Sequence, residues 1–313
     1  MSDPIPPARD PLEIKLAEAL PGLRSLRIQG LAGLVALLAV TVLLVIVLLG
    51  SGQDAQSWAI IVGFAGVFGM IALAGWVKKS HEAAIMPILA ATLNLSHQKS
   101  AKHFITQIPQ NFIPRGGKQT CDDLMSGQIA GRPFCFAEVK TETGGKNSST
   151  LFDGVVVEVK AREMLPEFLI APVKQTKGFW FFKGNVDVEN QARWHSATGG
   201  TGEEYGLWSP SQQPAERKVM EALMDRMLNL GGSLGSGSSL YSVACTGHYI
   251  YVALRHKREM FRIGGVFSTH EELMADIRTA TGELDVPLRL AGEVVRAEEA
   301  LHEAAGRPAA QEA

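Results

Sequence analysis

The chain has 313 residues, of which 46% are hydrophobic and 20% are charged, and its formal net charge is −2. A near-neutral charge argues against a protein that coats nucleic acid, so we predict no nucleic-acid partner. The apolar fraction is too high for a mostly disordered chain. Three cysteines without a CxxC pair exclude a disulfide framework.

A proline-rich arm, residues 1–27, comes before the first long apolar segment. We expect its first dozen residues to be disordered and the arm to lie in the cytoplasm. Residues 12–20 are predicted to form a short helix that Pro21 and Gly22 end.

Two uncharged apolar segments follow, and we predict transmembrane helices at residues 28–50 and 57–77. Each approaches the length of about 20 apolar residues that a bilayer requires, and a helix satisfies its own backbone hydrogen bonds in lipid. The alternative is a pair of buried helices in a soluble core, which rarely need such long uncharged runs. Neither segment holds an ionisable residue, which argues against an ion or proton pathway.

The charges beside the two segments predict the orientation. Arg24 and Arg27 precede the first, Lys78 and Lys79 follow the second, and the connection carries only Asp54. The excess of positive charge on one side places both termini of this multi-pass membrane protein in the cytoplasm.

Small residues at a spacing of four suggest where the two helices touch. Ala32 and Ala36 show this spacing in the first helix, and Ala65 and Gly69 show it in the second. Such spacing lets helices approach closely. We expect packing within one hairpin, with homo-oligomerisation as the alternative.

Residues 78–118 are interpreted as a basic juxtamembrane helix and linker. The helix is expected from Glu82 to Ala101, with Pro87 as a kink. The basic excess that begins at Lys78 and Lys79 is a candidate contact for anionic lipid headgroups. Topology determination and a solvated face are the alternative explanation.

Residues 119–290 are predicted to form a cytoplasmic α+β domain, a mainly antiparallel sheet with packed helices. Residues 291–313 are expected to form a C-terminal helix and a frayed tail. The pattern predicts a helix from Pro214 to a C-terminal cap at Gly231 and a capping box at Thr269 and Glu272. The predicted strands are residues 132–143, 151–160, 168–171, 179–182, 205–208, 240–244 and 248–254.

Sequence motifs for catalysis, cofactors or metals are missing. The Gly-Gly-Lys triplets at 116–118 and 144–146 lack the P-loop spacing, and the histidines lack a metal-binding spacing. We therefore predict no catalytic, cofactor-binding or metal-ligating residue. The acidic side chains of the first hairpin are interpreted as solvated strand faces: Glu138, Glu142, Asp153 and Glu158.

An aromatic and basic segment is the second candidate for contact with the membrane surface. Its members are Lys174, Lys177, Trp180, Phe181 and Lys183. Aromatic rings with lysines favour the headgroup level. A core strand whose terminal lysines extend to solvent is the alternative, and we favour it.

The order of these elements resembles that of a bacterial family of two-pass membrane proteins, domain-of-unknown-function family 3137. The resemblance rests on FAEV at residues 136–139, TLFDGVVV at 150–157, the helix 215–230 and the strand 249–254, after two N-terminal spans. It implies a bacterial membrane protein and brings no catalytic residues with it.

The sequence favours a membrane-anchored binding or scaffold module that presents an α+β domain at the inner membrane. Its partners are then the bilayer and a protein partner or a second copy of the chain. Two alternatives stay open. One is a membrane-bound enzyme, such as a hydrolase, whose site gathers Glu138, His248 or a cysteine. The other is an accessory subunit of a transporter.

Overall fold

The structure is a computed structural model, and it describes residues 11–109, 112–145, 147–173, 193–198, 202–210, 214–233, 238–256, 260–261 and 263–304. The chain divides into two compact units. Unit 1 comprises Met1–Leu93 and Phe261–Gly282, and unit 2 comprises Asn94–Met260 and Glu283–Ala313.

Two long helices form most of unit 1. Helix α1 is Pro11–Gly50 and helix α2 is Gln53–Thr92, each of 40 residues. At a rise of 1.5 Å per residue, each is roughly 60 Å long, about twice the hydrocarbon thickness of a bilayer. Both helices therefore continue past the apolar segments at 28–50 and 57–77.

The predicted end of the first helix at Pro21 and Gly22 is wrong, because α1 passes through both residues. Helix α2 contains Pro87, as predicted, but ends at Thr92. Both prolines are exposed, so solvent can satisfy the carbonyl group that a helical proline leaves without a donor. Residues 96–100, which we expected to be helical, form a strand.

The two helices pack as an antiparallel hairpin through glycines. A Cβ added to Gly66 would lie 2.5 Å from Oγ1 and 2.9 Å from Cβ of Thr41, and one added to Gly69 would lie 3.0 Å from Cδ2 of Leu37. Gly69 thus lies at the interface as predicted. The other three predicted contact residues are wrong, because their side chains are exposed: Ala32, Ala36 and Ala65.

The remaining part of unit 1 is a loop followed by the start of helix α5, His270–Ala304. The predicted capping box is confirmed. The backbone N–H of Thr269 donates to Oε2 of Glu272 at 2.7 Å, and the backbone N–H of Glu272 donates to Oγ1 of Thr269 at 3.2 Å. One helix replaces the two that the sequence suggested here, and its residues from Glu283 onward belong to unit 2.

Unit 2 contains a nine-stranded sheet in which every pairing is antiparallel, in the order β1-β2-β3-β4-β9-β8-β5-β7-β6. The predicted α+β class, with an N-terminal pair of apolar helices, is confirmed. The strands are β1 Ser96–Ser100, β2 Lys118–Ile129, β3 Arg132–Glu142, β4 Thr150–Lys160, β5 Phe168–Pro172, β6 Arg193–Thr198, β7 Glu204–Trp208, β8 Ser238–Cys245 and β9 Tyr249–His256.

Layers of apolar side chains cover the sheet. Helix α3, Lys102–Gln107, and the segment that follows it bring Phe104, Ile108 and Phe112 into one core cluster with residues of seven strands. Helix α4, Pro214–Ser233, packs against β6, β7 and β8. Consecutive residues of the central strand β4 are buried, as expected for a strand covered on both faces.

The predicted hairpins of the domain are confirmed, and the weakly patterned strands were missed. Phe134 pairs with Val159 across β3 and β4, and Cys245 pairs with Ile250 across β8 and β9. Helix α4 begins at Pro214 as predicted but runs past Gly231 to Ser233. Strand β2 and the two edge strands of the sheet, β1 and β6, were not predicted. The expected strand at 179–182 lies outside the described residues.

Candidate functional site

Two of the seven residues predicted to contact the membrane surface lie in the described part of the chain. Lys78 is half-buried in α2, and its Nζ lies 3.5 Å from Oε1 of Glu82. Lys79 is exposed beside it. The other five lie outside the described residues: Lys174, Lys177, Trp180, Phe181 and Lys183.

A loop that the sequence did not single out returns to the hairpin of α1 and α2. Val266 is buried in a cluster with Leu34 of α1 and Val77 of α2. A Cβ at Gly30 would lie 2.5 Å from Cγ2 of Val77 and 3.1 Å from Cγ2 of Val266, so this contact requires a glycine. Gly30 lies near the start of the first predicted span and Val77 lies at the end of the second. The loop therefore docks at one end of the two apolar segments.

Hydrogen bonds fix this loop on the start of α5. Oδ2 of Asp276 accepts the backbone N–H of Gly264 at 2.9 Å. Gly264 has φ +62°, in the region that favours glycine. The backbone N–H of Thr269 donates a hydrogen bond to the carboxylate of Glu272, and this bond lowers the pKa of that carboxyl group. The nearby positive charge of Arg27 lowers the pKa further.

A cavity of about 400 Å³ lies on the α1 side of this loop, and we call it the basic pocket. Its charged and titratable lining residues are Arg24, Arg27, His81 and His270. No described carboxylate lines it. Gly265, Ser268 and Thr269 form its loop side, and Ile28 and Leu31 form an apolar wall.

Two residues that line the basic pocket each have a buried nitrogen without a hydrogen-bond partner among the described residues, Nε of Arg27 and Nδ1 of His81. His81 is 2% exposed, and its Nε2 lies 3.3 Å from the carbonyl oxygen of Leu23. Because a carbonyl only accepts, Nε2 carries the proton, and Nδ1 is left for another partner. Buried polar groups are normally satisfied, so an orphaned pair in one cavity indicates a ligand site.

An apolar groove adjoins the basic pocket. It has a volume of about 370 Å³ and shares Leu31 with the pocket. We define it by Leu31, Leu34, Val35, Leu38, Met70, Ile71, Ala74 and Phe267. Phe267, next to the docked Val266, is 74% exposed. A polar cavity thus continues into an apolar one on the surface of the hairpin.

A third cavity, of about 690 Å³, lies on the α2 side of the same loop. Lys78, Glu272 and Asp276 line it, so its charges are mixed. Those groups are already engaged: Lys78 with Glu82, Glu272 with Thr269 and Asp276 with Gly264. This cavity is less suited than the basic pocket to an anion.

The residues that an enzyme site in the sheet domain would use are not brought together. Glu138 pairs with Val155 in the middle of β4, while His248 is exposed in the turn before β9, whose first residue pairs with Lys160 at the end of β4. Five residues of strand separate these positions, roughly 17 Å. Oε1 of Glu138 instead accepts the backbone N–H of Met260 at 3.1 Å.

The cysteines of this domain are protonated thiols. Burial, with the charge of Asp122, raises the pKa of Cys121 to about 12, and burial raises that of Cys245 to about 12. Burial and the neighbouring carboxylate of Glu158 also raise the pKa of Cys135. A thiol with a raised pKa is a poor nucleophile and metal ligand. Among the described residues, no three His, Cys, Asp or Glu side chains form a metal site.

Glu158 departs from the expected solvated strand face. It pairs with Cys135 on one side and Tyr251 on the other, and Sγ of Cys135 lies 3.6 Å from Oε1. Burial raises the pKa of Glu158, against the opposing hydrogen bonds from Tyr251 and Cys135. The interpretation as a solvated face is therefore wrong for this residue.

Two buried charge clusters in unit 2 hold the fold together. Oδ1 of Asp123 lies 2.9 Å from Nε2 of His97, and Oδ2 lies 3.1 Å from Nζ of Lys99. Glu298, fully buried in α5, pairs with Arg132 and accepts the backbone N–H of Arg162 at 2.6 Å. All these charges have partners within the domain, which makes structural roles the simplest explanation.

No family model matches this chain, and no curated protein matches it. Among solved structures, the chain is similar to the crystal structure of the mycobacterial trehalose monomycolate transport factor A, TtfA. The two have 13% sequence identity and a TM-score of 0.35, over 64% of this chain and 93% of that chain.

The sequence singled out part of the candidate site, but only as a signal for membrane orientation. Arg24 and Arg27 were identified in this way, and the pocket that they line was not predicted. His81 and the loop 264–268 were missed. The combination of Gly264-Gly265 with two apolar residues, Val266 and Phe267, just before a strong capping box is the signal that marks the loop.

Proposed function

We propose that the protein is a two-pass inner-membrane protein that presents its α+β domain at the cytoplasmic face and acts as a binding module. The bilayer surrounds its helical hairpin, and the domain binds a partner. Membership of family 3137 remains a prediction that rests on the residues quoted for it.

The surface of the hairpin carries this proposal. In the most apolar windows of α1 and α2, only 6% and 11% of residues are buried. Val35, Leu43, Ile46, Phe64 and Phe68 are each between 61% and 68% exposed. Withholding one such side chain from burial costs about 1.5–3 kcal/mol. Five of them would cost about 7–15 kcal/mol in water, which rivals the stability of a whole domain. Lipid contact removes that cost.

The aromatic residues at the ends of the second span support the same arrangement. Trp58 and Trp76 are 62% and 53% exposed. They lie near the two ends of the span predicted at 57–77. Indole rings favour the two interfaces of a bilayer, so both are placed as expected for a spanning helix.

The chemistry of unit 2 favours binding over catalysis. Its buried carboxylates at Asp123 and Glu298 are occupied by internal cations, and the raised pKa values of Cys121 and Cys245 keep these residues protonated. An enzyme needs groups that meet substrate with suitably tuned pKa values. In the described part of the domain, these buried carboxylates and cysteines stabilise the core.

Membrane integration and orientation can be tested with the full chain. After alkaline carbonate treatment, the protein should remain with the membrane pellet, and a reporter fused after Ala313 should give a cytoplasmic signal. Release into the carbonate supernatant would contradict the spans. A periplasmic reporter signal would contradict the orientation alone.

The binding role can be tested by purification from native membranes in mild detergent. We expect a partner, or a second copy, to stay at a fixed ratio through size exclusion, with the ratio unchanged by dilution. Stabilisation by a small molecule that the protein then turns over, without such a partner, would contradict a binding module and favour an enzyme.

A further inference from the structure

We propose that the basic pocket and the apolar groove together bind one anionic phospholipid of the surrounding bilayer. The phosphate occupies the pocket beside Arg24 and Arg27, and an acyl chain follows the groove. The inference rests on the proposed membrane span and adds a specific ligand to it.

The charge of the pocket selects an anion. Arg24 and Arg27 lie three residues apart on α1, so they share one face of the helix. Arginine presents a planar fork of donors that matches phosphate oxygens. The carboxylate of Glu272 interacts electrostatically with Arg27, but Glu272 does not line the pocket and already accepts a hydrogen bond from Thr269. A net positive charge remains.

The orphaned atom of His81 defines the inner end of the site. Its Nε2–H donates to the Leu23 carbonyl, so Nδ1 is the atom left without a partner. In the imidazolium form Nδ1–H donates to a phosphate oxygen, and in the neutral form Nδ1 accepts from a headgroup hydroxyl. A phospholipid with a hydroxylated headgroup satisfies either form. The buried Nε of Arg27 is satisfied by the same phosphate.

The groove decides between a lipid and a free anion. It begins at Leu31, where the pocket ends, and continues to Leu38 on α1. Those residues lie inside the first predicted span, at the depth of the acyl chains of the cytoplasmic leaflet. A soluble phosphate would leave this groove unfilled. A phospholipid places its phosphate at the boundary and its chain in the groove, and the exposed Phe267 packs beside that chain.

The headgroup site is tested on the full-length protein in mild detergent with phosphatidylglycerol labelled at the end of one chain, followed by fluorescence anisotropy. Arg27→Gln should raise the Kd about tenfold, because a charge-assisted hydrogen bond is lost. Lys15→Gln is the matched control: it removes one exposed charge of α1 outside the pocket, and should change the Kd less than twofold. If Arg27→Gln lowers the melting temperature, Arg24→Gln replaces it in the binding test, because Arg24 is exposed.

The groove is tested by filling it. Val35 and Val40 are both exposed on α1, at 66% and 54%, but only Val35 lines the groove. Val35→Trp should weaken binding several-fold, while Val40→Trp should leave it unchanged. Inorganic phosphate at a large excess should fail to displace the labelled lipid.

Each outcome bears on the proposal. Equal losses for Arg27→Gln and Lys15→Gln, or no loss in either, overturn a specific headgroup site. Displacement by inorganic phosphate, or equal effects of the two tryptophans, overturns the lipid and leaves a free-anion site. All of these results can occur in a protein that remains in the carbonate pellet, so failure here leaves the membrane-anchored function standing.

Discussion

The close contact of Gly66 with Thr41 makes the hairpin sensitive to a single methyl group. An alanine Cβ at Gly66 would lie 2.5 Å from Oγ1 and 2.9 Å from Cβ of Thr41, about 1 Å inside ordinary van der Waals contact. Thr41 cannot turn away freely, because its hydroxyl donates to the Leu37 carbonyl at 2.7 Å. Overpacking of this kind costs about 1–3 kcal/mol.

Gly63 is the matched control for this substitution. It lies three residues earlier on α2, and a Cβ there would meet nothing within 4 Å. Both alanines gain about 1 kcal/mol of helix propensity, so the difference between the variants isolates the steric cost. We expect Gly66→Ala to be less stable than Gly63→Ala by about 1–3 kcal/mol.

The assay is an SDS titration in mixed micelles, with a dye pair on α1 and α2 that reports their separation. Thr41→Ala removes two of the three Thr41 atoms within 3 Å of the added methyl, so Gly66→Ala should be largely rescued in the double variant. Equal stability of the two alanine variants, or an additive double variant, would refute the antiparallel packing described for the hairpin.

Three further predictions concern unit 2 in the full chain. Glu298→Gln removes the buried carboxylate partner of Arg132 and leaves its guanidinium beside the exposed Glu299, so it should lower the free energy of unfolding by about 3–5 kcal/mol in denaturant titrations. Glu299→Gln, at a 52% exposed side chain, should cost under about 1 kcal/mol. Equal losses would contradict the buried pair. The raised pKa of Glu158 means that the folded state holds this proton more tightly than the unfolded state. The stability contribution of this proton is present below the unfolded pKa of about 4.3 and is lost as the pH rises through the folded pKa. The stability of Glu158→Gln relative to the parent protein should therefore increase between pH 4 and pH 7. A stability difference that does not depend on pH would show that the pKa of Glu158 is not raised. With pKa values of about 12 for two of the three cysteines, disulfide-reagent labelling of those thiols at pH 8 should be on the order of a thousandfold slower in the folded than in the unfolded protein, and comparable rates would contradict the burial.

The elements predicted well were those whose signal is local. The apolar runs of the two spans, the alternation in β3 and β4 and the Pro214 start of α4 are each visible within a dozen residues. Strand β1, with the sequence SHQKS, has no apolar alternation. Strand β1 forms because it pairs with β2, whose residues lie some thirty positions further along the chain, as in the pair Ser96 and Ser126.

The candidate site depended even more on distant packing. Pro21 and Pro87 are helix breakers by their local preference, yet packing along the hairpin overrides them. Only because α2 continues past Lys79 does His81 reach the Leu23 carbonyl of α1. The docking of Val266 beside Gly30 joins residues more than two hundred positions apart. Periodicity carries no signal for such a contact.

A charge that sets topology and a charge that holds a lipid make different demands on position, and Arg27 allows the two to be separated. Topology depends on positive charge near the end of a span and tolerates movement around the helix. A pocket does not, because each residue turns the side chain by about 100°. The double substitution Arg27→Gln and Gln29→Arg moves the charge two residues, to an exposed position outside the pocket. The reporter after Ala313 should still read cytoplasmic, while the Kd for labelled phosphatidylglycerol should rise about tenfold, as with Arg27→Gln alone. If lipid binding survives the move, the arginine acts only through its charge at the boundary and the pocket is not a lipid site.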